Sequence, residues 1–255
     1  MTKRMQPGLS ARSGVMSALL AQEGVTGPDH FLNGQYGFFQ LYEANLYEPR
    51  FIAEQLGSPF EVRDLAIKPY PCCRLVHSPL DALFKIMKTK DLMLDDIEAI
   101  NVYGSQAMKT LSGNPFQVGV SSSIDAQFSL AYILVEAITR KVINTRSFSP
   151  ESIRNPALVP QIAKVHAIVS PDIKDRFASR VEIKLKNGST LTESVEIPKG
   201  QPEAPLDWAE CEEKFRCCAA DAAVPLEPAR MERFVQGLQR LESSASAEEL
   251  IQFLV

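Results

Sequence analysis

Three basic side chains fall within one short stretch of the sequence, Lys68-Pro69-Tyr70-Pro71-Cys72-Cys73-Arg74-Leu75-Val76-His77-Ser78. Lysine and arginine can hold a carboxylate, and an imidazole can move a proton within hydrogen-bond reach. Two prolines end any regular ladder and force an extended, rigid loop. Ser78-Pro79 reads as an N-cap followed by proline at the first helical position. The loop therefore aims Lys68, Arg74 and His77 at a helix N-terminus, where unpaired backbone N–H groups favour an anion. A blander reading of the same residues stands beside this one: Lys68 and Arg74 solvated, His77 a neutral packing residue near the cap.

The remaining reactive residues point less sharply. Cys72 and Cys73 have no base partner that spacing identifies, so they read as small packing residues rather than nucleophiles. Cys217-Cys218 reads as part of a helix core. Five cysteines in all, an odd number with two adjacent pairs, suit reduced thiols better than a disulfide framework. Adjacent cysteines and three histidines, His30, His77 and His166, give no zinc spacing, so no metal is expected. Asp125 and Gln127 precede a buried helix, where a cap or a hydrogen bond to the loop is the ordinary role and substrate contact the sharper one.

These residues need a scaffold, and the composition supplies one. The chain has 255 residues, 45% hydrophobic and 23% charged, which is enough apolar material for a folded core. Net charge is −4 with basic and acidic residues interspersed, so the footprint of a nucleic-acid binder is absent. No apolar run reaches the roughly 20 residues of a membrane span. The basic N-terminus lacks an apolar stretch of the secretory kind, while the absence of acidic residues before Glu23 keeps a mitochondrial leader in view beside a cytoplasmic location.

The periodicity predicts helix at the start, with Ala11, Val15, Ala18 and Leu19 on one face and Gly24 as a stop, then an aromatic segment around Phe38 to Tyr42 and a short helix over Phe51–Leu56. These helices carry more apolar surface than they can bury against one another. Val62–Lys68 reads as a strand, Leu80, Leu83, Phe84 and Met87 as the buried stripe of a helix, Ile97–Tyr103 as a strand, and Ile124–Arg140 as one central helix. Ser149-Pro150 and Asn155-Pro156 start short helices. Residues 181–197 alternate around Asn187-Gly188, a hairpin with a type I′ turn. Asp207 and Glu210 have capping-box spacing before a helix to about Ala220, and Met231, Phe234, Val235 and Leu238 mark a late amphipathic helix. The fold class expected is α+β: a mixed insert over residues 62–199 between helical pieces at 1–61 and 200–255.

With these elements placed, the segment KPYPCCRLVHSPLDAL resembles the signature of the MmgE/PrpD family, and three further stretches agree in order: TKRMQPG with ARSGVMSALLAQEGVTGP, IDAQFSLAY, and KGQPEAPLDWAECEEKF. Members of that family act without an organic cofactor on small di- or tricarboxylates, by removing a proton beside a carboxylate and then losing water or carbon dioxide, or by returning the proton to the other face. The resemblance implies Lys3 and Lys68 as carboxylate clamps in an active site, His77 as a pocket residue with acid/base capacity, and Arg74 and Tyr70 as further substrate contacts. It implies a lyase of dehydratase or decarboxylase type, with an epimerase or isomerase as the alternative within the family, and a homodimer.

The departures carry expectations too. The family has a large helical region, with further catalytic histidines and an aspartate, before the position where this sequence begins. A truncated C-terminal portion is therefore expected, either catalytically incomplete or complemented by an N-terminal chain. Gln6 stands where many members have histidine, and Cys73 stands where some members have histidine.

Overall fold

The computed structural model describes residues 2–44, 46–48, 50, 54, 56–57, 60–243, 246 and 248–254. The expected helix over Phe51–Leu56 lies largely outside the described residues. Contacts divide the chain into two units, residues 1–61 and 62–255.

In the first unit, helix α1 spans Thr2–Gln22 and α2 spans Phe38–Glu43. Gly24, at φ +90°, stops α1 where the sequence places its stop signal. Val15, Met16, Leu19 and Leu20 of α1 are exposed. Between Phe31 and Tyr47 local ties hold the chain: Phe39 stacks on Tyr47 at 3.8 Å between centroids, and the Tyr47 hydroxyl donates to Asn33 Oδ1 at 3.0 Å.

The second unit is built on a four-stranded sheet of order β2-β1-β3-β4. Strand β1 is Ile97–Gly104, β2 Val165–Val169, β3 Ser179–Leu185 and β4 Thr190–Val195. β2 runs parallel to β1, and the other pairs are antiparallel. Ile100, Val102, Val181 and Ile183 alternate inward along β1 and β3, all at 1% exposure or less. Helix α3 (His77–Thr89) packs on β3 and β4 and α6 (Leu130–Arg140) packs on β2, and Leu80, Leu83, Ile133 and Leu134 are buried in the same core. Shorter helices α4 (Gln106–Ser112), α5 (Ser123–Phe128) and α7 (Val159–Ile162) fill the crossover from β1 to β2. Helices α8 (Trp208–Ala220), α9 (Pro228–Leu238) and α10 (Glu248–Ile251) follow the sheet. The architecture is α+β, as the sequence implies. Among the described residues no helix is long and apolar enough to cross a membrane.

Several local expectations need correction. Val62–Lys68 is not a strand: Glu61–Asp64 forms a single 3₁₀ turn, and Val62, Leu65 and Ile67 are exposed. Strand β2 is an element that the sequence expectations lack. The helix expected over Ile124–Arg140 breaks at Ser129, whose extended backbone ends α5 while its hydroxyl accepts from Tyr132 N and caps α6. The hairpin is present, but Asn187 does not have positive φ. Gly188 alone does, with Gly188 N donating to Leu185 O and Leu185 N to Ser189 O, the pattern of a three-residue loop with a glycine bulge. Asn187 instead accepts from Ser189 N and Oγ, an Asx-type turn.

Candidate active site

The signature stretch lies in the second unit, at the entrance to α3. The helix begins at His77, one residue before the serine expected to cap it, and its N-cap is Val76 without a side-chain bond. Ser78 is buried and its hydroxyl donates to the Phe177 carbonyl instead, tying the helix to the segment that precedes β3. Ahead of the helix, residues 69–73 form a tight extended loop. Cys72 N donates to Tyr70 O at 2.9 Å, and Cys73 N donates to Gln127 O at 2.8 Å. The break at Ser129 makes that second bond available, because the last carbonyls of α5 have no helical N–H above them. The Gln127 carboxamide donates to Pro71 O at 3.0 Å, and Asp125 completes a capping box with Ser122, so both residues take the ordinary roles expected of them.

The polar side chains of the loop are arranged as follows. Lys68 is exposed and its ammonium donates to Cys72 O at 3.1 Å, folding the side chain back over the loop. Arg74 Nη1 donates to Lys199 O at 3.1 Å and lies 3.1 Å from His77 Nδ1. Its Nε and Nη2, with His77 Nε2, are buried and without a hydrogen-bond partner among the described residues. Burial drives the His77 pKa down to about 3, with the positive charges of Arg74 and Lys68 adding to the effect. The imidazole is therefore neutral near pH 7. Tyr70 is half-buried, its ring 5.2 Å from that of His77, and its hydroxyl donates to Asp81 Oδ1 at 2.7 Å. Burial and the neighbouring Asp81 carboxylate raise its pKa. Cys72 is buried and burial pushes its thiol pKa up, which suits a packing residue rather than a nucleophile.

Lys68, Tyr70, Arg74 and His77 thus share one turn. Lys3, at the second residue of α1, belongs to the first unit. Among the described residues no group of three or more histidine, cysteine or acidic side chains is placed to hold a metal ion.

Two further participants lie outside the candidate site residues that the sequence marks. Asp81 sits one helical turn after His77, so i,i+4 spacing on α3 is the signal that points to it. Its Oδ2 accepts from Lys199 N at 2.8 Å. The second participant is the Lys199-Gly200 segment itself. Gly200 O accepts from Ile67 N at 2.8 Å, and Gly200 has φ +83°. A Cβ at Gly200 would stand 1.9 Å from Ile67 O, so only glycine permits this approach. Lys199 forms an ion pair with Glu210 at 2.9 Å, which raises its pKa, while Glu210 and Asp207 make the capping box expected for α8.

Behind the turn lies a cavity of about 550 Å³ whose wall includes Tyr70, Phe84, Lys199, Glu210, Lys214 and Cys217, but neither Lys68 nor His77. Cys217 and Cys218 are exposed, contrary to the core position expected of them, because α8 buries fully only Ala219.

Comparison with known proteins bears on this arrangement. The MmgE/PrpD C-terminal domain matches residues 70–239, and the MmgE/PrpD N-terminal domain matches residues 1–47. A cis-aconitate decarboxylase of Aspergillus terreus is 30% identical over 98% of this chain and 54% of its own length. The cis-aconitate decarboxylase of Homo sapiens is 26% identical over 94% of this chain and 50% of its own length. The mouse protein of that name, from Mus musculus, is also 26% identical, over 99% and 52%. The chain spans about half the length of the curated relatives it matches.

Proposed function

From the premise that this chain belongs to the MmgE/PrpD family, we propose that it is a lyase of decarboxylase or dehydratase type acting on a small di- or tricarboxylate. The relatives named as cis-aconitate decarboxylases support the decarboxylase form. The observation that carries the reading is the signature turn, which carries an exposed Lys68 bonded to Cys72 O together with Arg74 and a neutral His77 in mutual contact.

Loss of carbon dioxide from such a substrate breaks a carbon–carbon bond, and its electron pair passes into an enolate-like system that is afterwards protonated at carbon. A fixed cation beside that system lowers the barrier by favouring charge where it develops. In this proposal Lys68 and Lys3 clamp carboxylates. Arg74, anchored through Nη1, contributes positive charge and a further substrate contact. His77 serves as a neutral hydrogen-bond donor and reserve for proton movement, and Tyr70 shapes the wall. The dehydration form begins instead with removal of the proton beside a carboxylate. A homodimer or a complementing N-terminal chain is the proposed partner, in a cytoplasmic or mitochondrial setting that keeps the five thiols reduced.

The test is incubation of the purified chain with cis-aconitate, citrate and methylcitrate in deuterated water, followed by NMR. Loss of a carboxyl group or deuterium at carbon supports the proposal. Absence of both with all three acids, alone and with a separately produced N-terminal half of a relative, overturns it.

A further inference from the structure

We infer that Asp81 is the positioning residue of this site: its carboxylate fixes the turn from Lys68 to His77 against the Lys199-Gly200 segment and thereby sets where the Lys68 ammonium stands. What the turn binds rests on the function proposed above, whereas the placement of the turn does not.

A carboxylate offers two anionic acceptor oxygens on one side chain. Two donors converge from separate parts of the chain, the Tyr70 hydroxyl at 2.7 Å and the Lys199 backbone N–H at 2.8 Å. Each takes a different oxygen of Asp81, so one side chain satisfies both with charge-assisted bonds. From Lys199-Gly200 two further bonds return to the turn. The Lys199 carbonyl accepts from Arg74, behind the prolines, and the Gly200 carbonyl accepts from Ile67, immediately before Lys68. Both ends of the turn therefore hang on a two-residue segment that Asp81 holds. The absence of a side chain at Gly200 makes the segment fit closely, with Ile67 O directly against its Cα. Asp81 itself points at the tyrosine and the backbone, so it acts on the site through them.

The closing experiment uses the full chain and three variants, Asp81→Ala, Asp81→Asn and Tyr70→Phe. Binding of cis-aconitate is measured by calorimetry. In parallel, alkylation by iodoacetamide is mapped by mass spectrometry at Cys72 and Cys73, which lie within the turn and are 5% and 7% exposed. Asp81→Ala leaves two donors without an acceptor and is expected to raise alkylation at Cys72 and Cys73 about tenfold and weaken binding about tenfold. Rates at Cys211, Cys217 and Cys218 stay at wild-type values, which separates release of the turn from general unfolding. Asp81→Asn, whose carboxamide can accept from Lys199 N and donate to the Tyr70 oxygen, is expected to recover most of both. Should Asp81→Ala fail to fold, Tyr70→Phe removes one of the two bonds and is expected to raise alkylation about threefold. Wild-type alkylation rates at Cys72 and Cys73 in the Asp81→Ala chain, or in Tyr70→Phe where that chain fails to fold, overturn the inference. If the wild-type chain binds no polycarboxylate, the proposed function is lost and the alkylation arm alone decides the role of Asp81.

Discussion

Arg74 Nη1 lies 3.1 Å from His77 Nδ1, and a guanidinium can only donate. Nδ1 is therefore the acceptor and the imidazole proton resides on Nε2. A buried, neutral, singly protonated imidazole in this position is a donor toward anything that approaches Nε2, and its protonation is opposed by both burial and the adjacent guanidinium.

The first prediction is a pH dependence of stability. The folded-state pKa of about 3 lies below the ordinary value of 6.5, so the unfolded chain binds the extra proton first. The contribution of His77 is fully present above about pH 6.5 and is lost as pH falls toward 3. Urea denaturation at pH 7 and pH 4.5 should show a larger loss in wild type than in His77→Asn, whose carbonyl keeps the acceptor for Arg74. Equal losses in the two proteins would count against a neutral His77.

Lys68→Ala is expected to leave the fold nearly untouched, because the side chain is exposed and makes one bond to a backbone carbonyl. Its melting temperature should stay within about 3 °C of wild type. Binding of cis-aconitate should fall at least about tenfold, the value of a charge-assisted contact. Calorimetric titration checks this, and undiminished affinity would remove Lys68 from the site.

Two glycines with the same backbone sign should behave differently. Gly188 and Gly200 both have φ near +85°, at +85° and +83°. Nothing surrounds the missing Cβ of Gly188, whereas that of Gly200 would meet Ile67 O at 1.9 Å. Gly188→Ala should cost about 1 kcal/mol, the penalty of the left-handed conformation alone. Gly200→Ala should cost about 3 kcal/mol or more once the displaced backbone is included. Chemical denaturation of both variants measures the difference.

Tyr132 offers a control away from the site. It is fully buried in α6 and its hydroxyl donates to Ser147 O at 2.5 Å. Tyr132→Phe leaves that carbonyl unpaired and should destabilise by about 1–3 kcal/mol without changing ligand affinity. A change in affinity would show that the core around α6 and the turn are coupled.

Much of this was readable from residue order. The turn of prolines, the strand at β1, the alternation along β3, and the capping box at Asp207 are local signals, and each appears where the pattern puts it. What failed was decided by distant partners. Val62–Lys68 has strand-like residues but, among the described residues, no strand neighbour to pair with, apart from Ile67 N on Gly200 O. Ser129 interrupts a run that is apolar on both sides, and nothing in the periodicity announces the break. Cys217-Cys218 lies on an amphipathic pattern whose apolar side is left largely uncovered. At the site, the loop's own residues are legible and helical spacing from His77 points to Asp81, whereas the role of Lys199-Gly200 is not legible, since it exists only once segments 118 residues apart meet.

That separation matters during synthesis. A nascent chain that has emerged through α3 already carries Lys68, Arg74 and His77, but the peptide that aligns them is still unmade. The turn can take its final shape only after β4 has been translated, so a pause or cleavage before residue 199 would yield every reactive side chain of the loop without the Lys199 and Gly200 bonds to Arg74, Asp81 and Ile67.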